Sequence, residues 1–194
     1  LSLLVALWMG VSYAERLGLV TMLDSLEGSE NVYFIKSVSF IPEENQFLLY
    51  GDLSHTTRSA RERVIWENDP ENKACFANYL RLLLGDYMQK DSGISYADLE
   101  QEIRRGEALD PDNAFYNYAL AAVLFKRGSE WKRDQNDKED EWIIKDHDVL
   151  DSAITELGKA SVKPSYRRYL NKILHQRLSL FPETRRMEIR IAKL

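Results

Sequence analysis

Little in this chain lends itself to covalent or metal chemistry. Its 194 residues hold one cysteine and three histidines. Cys75 has no second cysteine to pair with, so a disulfide framework is excluded. There is no Gly-rich phosphate loop, no G-x-S-x-G elbow, no H-E-x-x-H and no paired-Cys zinc spacing. Five prolines and nine glycines exclude collagen-like or linker-dominated material. What is present, 44% hydrophobic and 29% charged residues, excludes a disordered chain and fits one globular domain or a small domain with an anchor.

The few reactive residues read blandly. Cys75 lies in an apolar stretch and reads as a buried small hydrophobe. His55, beside Thr56 and Thr57, has no identifiable partner and reads as surface loop. His175 falls among Arg167, Arg168, Lys172 and Arg177 and reads as a surface histidine. Asp146-His147-Asp148 places three ligand types in a row, but successive residues do not converge on one helix face, and Asp148 is expected to N-cap a helix. The expectation is a non-enzyme with no catalytic residue, no cofactor and no metal.

Charge is unevenly spread. Residues 163–194 carry nine basic residues against Glu183 and Glu188, leaving 17 basic and 29 acidic residues in 1–162. An acidic body with a basic end is not a nucleic-acid binder, whose positive charge should dominate the body too. The first fourteen residues carry no charge, and only Glu15 and Arg16 interrupt the apolar run before residue 23. The leading reading of residues 1–23 is a membrane anchor, with an uncleaved signal and a buried core helix as rivals.

Residues 24–63 are expected to be irregular, or to form a small β-hairpin from Asn31-Val-Tyr-Phe-Ile-Lys-Ser-Val-Ser-Phe-Ile41 and Gln46-Phe-Leu-Leu-Tyr50. A helix is expected to begin near Ala60. From residue 64 the pattern becomes regular. Asp69-Pro70-Glu71-Asn72 recurs as Asp110-Pro111-Asp112-Asn113, each followed by an aromatic-rich helical stretch. Proline suits an inter-helix turn, and Asn or Asp behind it can cap the next helix. Ser95 opens a helix over 96–109 with Leu99, Ile103 and Gly106 on one side, and a further helix is expected over 148–162, with Leu150, Ala153, Ile154, Leu157 and Ala160 at helical spacing. Lys163-Pro164 is expected to open a last helix over 165–178 that caps the array. Helix pairs joined by proline-marked turns point to a mainly α fold, a short solenoid of stacked helical hairpins over 64–180, followed by a basic extension over 181–194.

The run from Ala108 to Gly128 resembles a degenerate tetratricopeptide repeat, with Leu120, Ala121 and Leu124 at core positions and Gly106 at the site usually held by alanine. The resemblance implies partner binding along a concave face, placing Phe115, Tyr118, Ala122 and Phe125 there, with Ala74, Ala77, Arg81 and Leu84 before them and Arg168, Asn171 and His175 after. Residues 24–50 filling that groove is the competing reading. The polar run 129–147 departs from the repeat and reads as a solvated loop. A calcium loop there fails because Lys138 takes the ligand slot after Asp134 and Asn136. Trp131 and Trp142 bracket the run, either as interface anchors or folded back on the body. The functional expectation is a membrane-associated, non-catalytic adaptor or assembly subunit with protein partners, membrane subunits among them. The alternative is a permanent accessory subunit of a membrane complex.

Overall fold

The computed structural model describes residues 43–89, 93–132 and 141–180. Among them the chain is mainly helical, with 68% of residues in seven helices and one two-stranded sheet. The apolar segment 1–23, the first half of the expected hairpin at 31–41, the calcium-loop positions and the basic extension 181–194 lie outside the described residues. The chain divides into two compact units, Ser54–Leu170 and a smaller one made of Leu1–Leu53 with Asn171–Leu194.

In the smaller unit, α1 (Glu43–Tyr50) corrects the expected strand at residues 46–50. Pro42-Glu-Glu, read as a turn, is also a helix-start signal, because proline and acidic residues suit the first turn. The helix stops at Gly51, which adopts φ 69° and donates its N–H to the Phe47 carbonyl at 2.8 Å. That left-handed stop needs no Cβ. Leu49 is buried beside Tyr50 and Leu180, and the Asn45 side-chain amide donates to the Leu180 carbonyl at 3.2 Å.

The larger unit contains α2 (Arg58–Glu67), α3 (Lys73–Met88), α4 (Tyr96–Leu109), α5 (Phe115–Gly128) and α6 (His147–Ser161). Each of four starts has a side-chain cap: Thr57 Oγ1 accepts from Ala60 N, Asn72 Oδ1 from Ala74 N and Cys75 N, Ser95 Oγ from Asp98 N, and Asp146 Oδ1 from Val149 N. Such caps satisfy donors that no intrahelical carbonyl can reach. Two expectations need correction: α2 begins at Arg58, so it runs across the expected boundary at residue 64, and Asp146 rather than Asp148 caps α6.

The core joins α2, α3, α4 and α5 through Trp66, Phe76, Tyr79, Leu80, Leu99, Ile103, Tyr116, Leu120 and Val123. The expected core residues Ile103, Leu120, Ala121 and Leu124 are all buried. Trp66 meets Phe76 edge-on at 4.8 Å and lies parallel to Tyr79 at 6.2 Å. Gly106 faces the rings of Tyr116 and Phe76 so closely that even a methyl group would collide with both. An alanine there would not fit unless those rings moved.

A polar cluster ties α4, α5 and α6. Glu156 is buried, accepting from Arg104 at 2.6 Å, Lys159 at 2.8 Å and Asn117 at 2.8 Å. Asn117 and Lys163 also donate to Glu107, at 2.9 and 3.0 Å. Burial pushes the Glu156 carboxyl up, but the bonds from Arg104, Lys159 and Asn117 outweigh it and hold its pKa at about 2.

Two further corrections concern the end of this unit. Residues 165–169, expected in a helix, are not helical: the Ser165 carbonyl accepts from Ala114 N at 2.7 Å, while Arg167 N–H donates to Asn113 Oδ1 and the Arg167 carbonyl accepts from Asn113 Nδ2, both at 2.8 Å. Backbone groups committed to Asn113 and Ala114 cannot also form helical bonds. Helix α7 (Leu170–Ser179) therefore begins only after Tyr169, and from Asn171 onward it belongs to the smaller unit. The polar run after α5 is not a plain loop either. Its flanks pair as an antiparallel hairpin, β1 (Ser129–Lys132) with β2 (Glu141–Ile144), in the register Trp131 opposite Trp142. Gly128 closes its base by accepting from Lys145 N and Asp146 N.

Candidate partner-binding surface

Nine of the fourteen residues of α5 are buried, because α4 and α6 pack against it from two sides. A helix so enclosed has one narrow open stripe. Tyr118, Ala122 and Phe125, spaced four and three apart, occupy it, and Tyr118 and Phe125 are 41% and 47% exposed.

Neighbouring segments extend the stripe at both ends. The non-helical segment 165–169 brings Tyr166 edge-on to Tyr118 at 5.7 Å, with the rings crossed at 73°. The hairpin brings Trp142 to Phe125 at 5.4 Å and 70°, and Trp131 to Trp142 at 5.1 Å. The hairpin can do this because residues paired across a strand share one face. Tyr166, Trp131 and Trp142 are each about half exposed despite these contacts. The two tryptophans fold back onto α5, one of the two readings from sequence, and still face solvent.

Cations flank these aromatics in the chain. Lys126 donates to the Tyr87 carbonyl at 3.0 Å and lies over its ring, and Arg127 lies 3.6 Å over the Tyr96 ring. Arg167 and Arg168 are exposed beside Tyr166.

The other candidate residues fall elsewhere. Phe115 is buried and corrects the expectation of a surface residue. Its ring packs against Tyr116 at 5.3 Å and supports Tyr166 from beneath at 6.2 Å. On α3, Ala74 and Ala77 are fully buried, so the expected concave face does not continue there. Arg81 is half-buried and donates to Asn78 Oδ1 at 3.2 Å. Arg168 sits on the non-helical segment, not on a helix with Asn171 and His175. Reasoning from sequence missed Tyr166, whose signal was the Pro164 two residues earlier. It also missed the hairpin, whose signal was Trp142 followed by Ile143-Ile144, a β-prone run at the end of a polar stretch.

No protein-family model, curated protein or solved structure matches this chain. Among the described residues, no helix is long and apolar enough to cross a membrane.

Proposed function

We propose that this protein is a non-catalytic, membrane-associated subunit that holds partner proteins, with α2 to α6 stacked as tetratricopeptide-like hairpins. The observation that carries the reading is the exposed aromatic line of Tyr118, Phe125, Trp142 and Trp131. Aromatic side chains in the open are what interfaces use as anchors, and a contiguous set of them marks an interaction surface. Two features support the stacked arrangement. The strongest helix packing runs between neighbours in sequence, as in a solenoid whose units touch only the next. Successive turns are also bonded edge to edge: Lys73 reaches Asp110 at 3.0 Å, and the Tyr169 hydroxyl donates to the same carboxylate at 2.8 Å. The membrane part rests on the uncharged run at the start of the chain.

The test places a photo-crosslinking residue at Ala122, on the stripe, and in a parallel variant at Ala108, exposed on α4. Discrete adducts from Ala122 alone, in the membrane fraction, are expected. Equal labelling from both positions would sink the proposal.

The permanent-subunit reading is favoured by a different observation. Helix α6 and the residue after it leave Ile154, Leu157 and Val162 exposed, Ile154 at 65% and Val162 at 82%. A face that apolar suits a constant neighbour. Removing residues 1–23 separates the two: an adaptor gives a stable monomer, and a permanent subunit aggregates.

A further inference from the structure

The hairpin that follows α5 has an open edge. Among the described residues its sheet has only two strands, and two strands alone are marginally stable in water. On β2 the run Trp142-Ile143-Ile144 is 57%, 36% and 50% exposed. An edge strand this apolar is what sheet proteins ordinarily mask with charge, proline or a bulge.

The bonding pattern shows which backbone groups face outward. In an antiparallel ladder, opposed residues alternate between pairs that exchange hydrogen bonds and pairs that do not. Lys145 N donates to the Gly128 carbonyl, so by alternation Lys145 and Ile143 bond inward to the first strand. Trp142 and Ile144 then turn their N–H and C=O groups outward. The close approach of Trp131 to Trp142, opposite it in register, fits a pair of the non-bonded kind, whose side chains lie nearer. On β1 the outward N–H of Ser129 is already given to the Phe125 carbonyl. That leaves β2 the more open edge, and the form of ligand that matches such an edge is another strand.

The sequence of β2 is its own complement. Antiparallel pairing of two copies about Ile143 sets Trp142 opposite Ile144 twice and Ile143 opposite itself, so apolar residues meet apolar residues throughout the trio. Each outward N–H then meets an outward C=O. The residues either side of the trio are glutamate at 141 and lysine at 145, so the same register sets acid against base. Sliding it by two sets Trp142 against Asp146, or Ile144 against the aspartate at 140.

We infer that β2 pairs with β2 of a second copy, giving a two-fold dimer with one four-stranded sheet. This goes beyond the stripe reading, because it uses the strand edge and leaves the Tyr118 and Phe125 rings free. Contact over so short a strand is small, so the pair forms in the micromolar range and the dilute chain is monomeric.

The test measures energy transfer between donor-labelled and acceptor-labelled full chains as concentration rises through the micromolar range. Saturating transfer is expected. Ile143→Glu sets like charges face to face on the two-fold axis and should weaken association at least about tenfold, with unchanged circular dichroism. Mixed with Ile143→Lys chains, the same variant should recover, because lysine then faces glutamate. Ile144→Pro removes an outward N–H and no bond to β1, and should weaken association as strongly. Ile154→Lys, on the exposed face of α6, should change nothing. Absence of transfer at every concentration overturns the inference and leaves the stripe reading standing. Association that Ile154→Lys abolishes and Ile143→Glu spares overturns it too, placing the contact on α6. A mixture that fails to recover denies that residue 143 meets itself, and also overturns it.

Discussion

The turn at residues 69–72 and the turn at 110–113 share three of four letters and the same internal bonding. In each, the Asn side chain donates to the Asp carboxylate three residues back, at 3.0 and 2.9 Å, and its oxygen caps the following helix. Their surroundings differ. Asp69, Pro70 and Glu71 are exposed, whereas Asp110 and Asn113 are buried under residues 165–169. A turn left bare needs its Asn only as a cap. A covered turn makes the same Asn carry four bonds, two of them to a segment more than fifty residues away. Covering the second turn is also what delivers Tyr166 to the surface of α5. The local motif thus sets the turn, and burial decides what the turn supports.

The largest expected effect comes from breaking that asymmetry. Asn113→Leu strips the Arg167 backbone, the Phe115 N–H and the Asp110 carboxylate of partners in a fully buried place. Each stranded buried group costs about 1–3 kcal/mol, so a loss of about 4 kcal/mol is expected in urea unfolding. Asn72→Ala removes a cap on the bare turn and should cost about 1 kcal/mol. Equal losses would show that the cover contributes nothing.

Acid should break the comparison next, and from one side. Glu156 and Glu107 brace Lys163 and α6 against α4 and α5, next to the covered turn. The Glu156 pKa is held at about 2 against an ordinary 4.5. A depressed carboxylate stabilises above its unfolded pKa and loses that contribution as pH falls through the folded one. About 3 kcal/mol should therefore drain away between roughly pH 4.5 and 2. Burial raises the Asp110 carboxyl, but bonds from Tyr169, Lys73 and Asn113 outweigh it and leave it below its usual value, so the same sign applies. Hydrogen exchange across this window should open the Ala114 and Arg167 amides before Asn72 and Phe76. Glu156→Gln should flatten the profile, and simultaneous opening at both turns would contradict the argument.

How much of this was legible in the sequence follows from the range of the signals. The helix over 96–109, its Ser95 cap and the burial of Leu99, Ile103 and Gly106 were readable, because capping and periodicity are local. So were Tyr118, Ala122 and Phe125 as one face. Residues 165–169 were not, since the apolar spacing of Leu170, Ile173 and Leu174 extends backward as a plausible helix. What overrides it is bonding to Asn113, which has no local trace. The cluster around Glu156 was invisible for a related reason: a charge on a helix reads as solvated unless its partners on two other helices are known. Gly106 was legible as a packing site but not as one too tight for alanine.

Tyr169→Phe should produce a smaller change. Tyr169 sits in the left-handed region at φ 57°, strained for a residue with a side chain, and its hydroxyl bond to Asp110 helps hold it there. Losing one such bond should cost about 1 kcal/mol. The equivalent deletion at the bare turn has no counterpart, because no tyrosine reaches Asp69 among the described residues. A loss near zero would mean that the Asn113 bonds alone hold the cover.

The smallest expected effect sharpens the comparison from the other direction. The one letter by which the turns differ is Glu71 against Asp112, and both side chains are exposed. At the covered turn the position contributes only its backbone, the Asp112 carbonyl accepting from Ser165 Oγ at 2.9 Å. Exchanging the letters, Glu71→Asp with Asp112→Glu, should leave stability within about 0.5 kcal/mol, as for surface substitutions that touch no cap or core. Covering must then come from what packs on the turn and not from the turn's own spelling. If the exchange instead destabilised the protein by several times that amount, the differing letter would be setting which turn is covered, and the explanation by burial would fail. Adding Ser165→Ala to the exchanged chain checks the same point, since it removes the one bond at this position and should cost about 1 kcal/mol in either background.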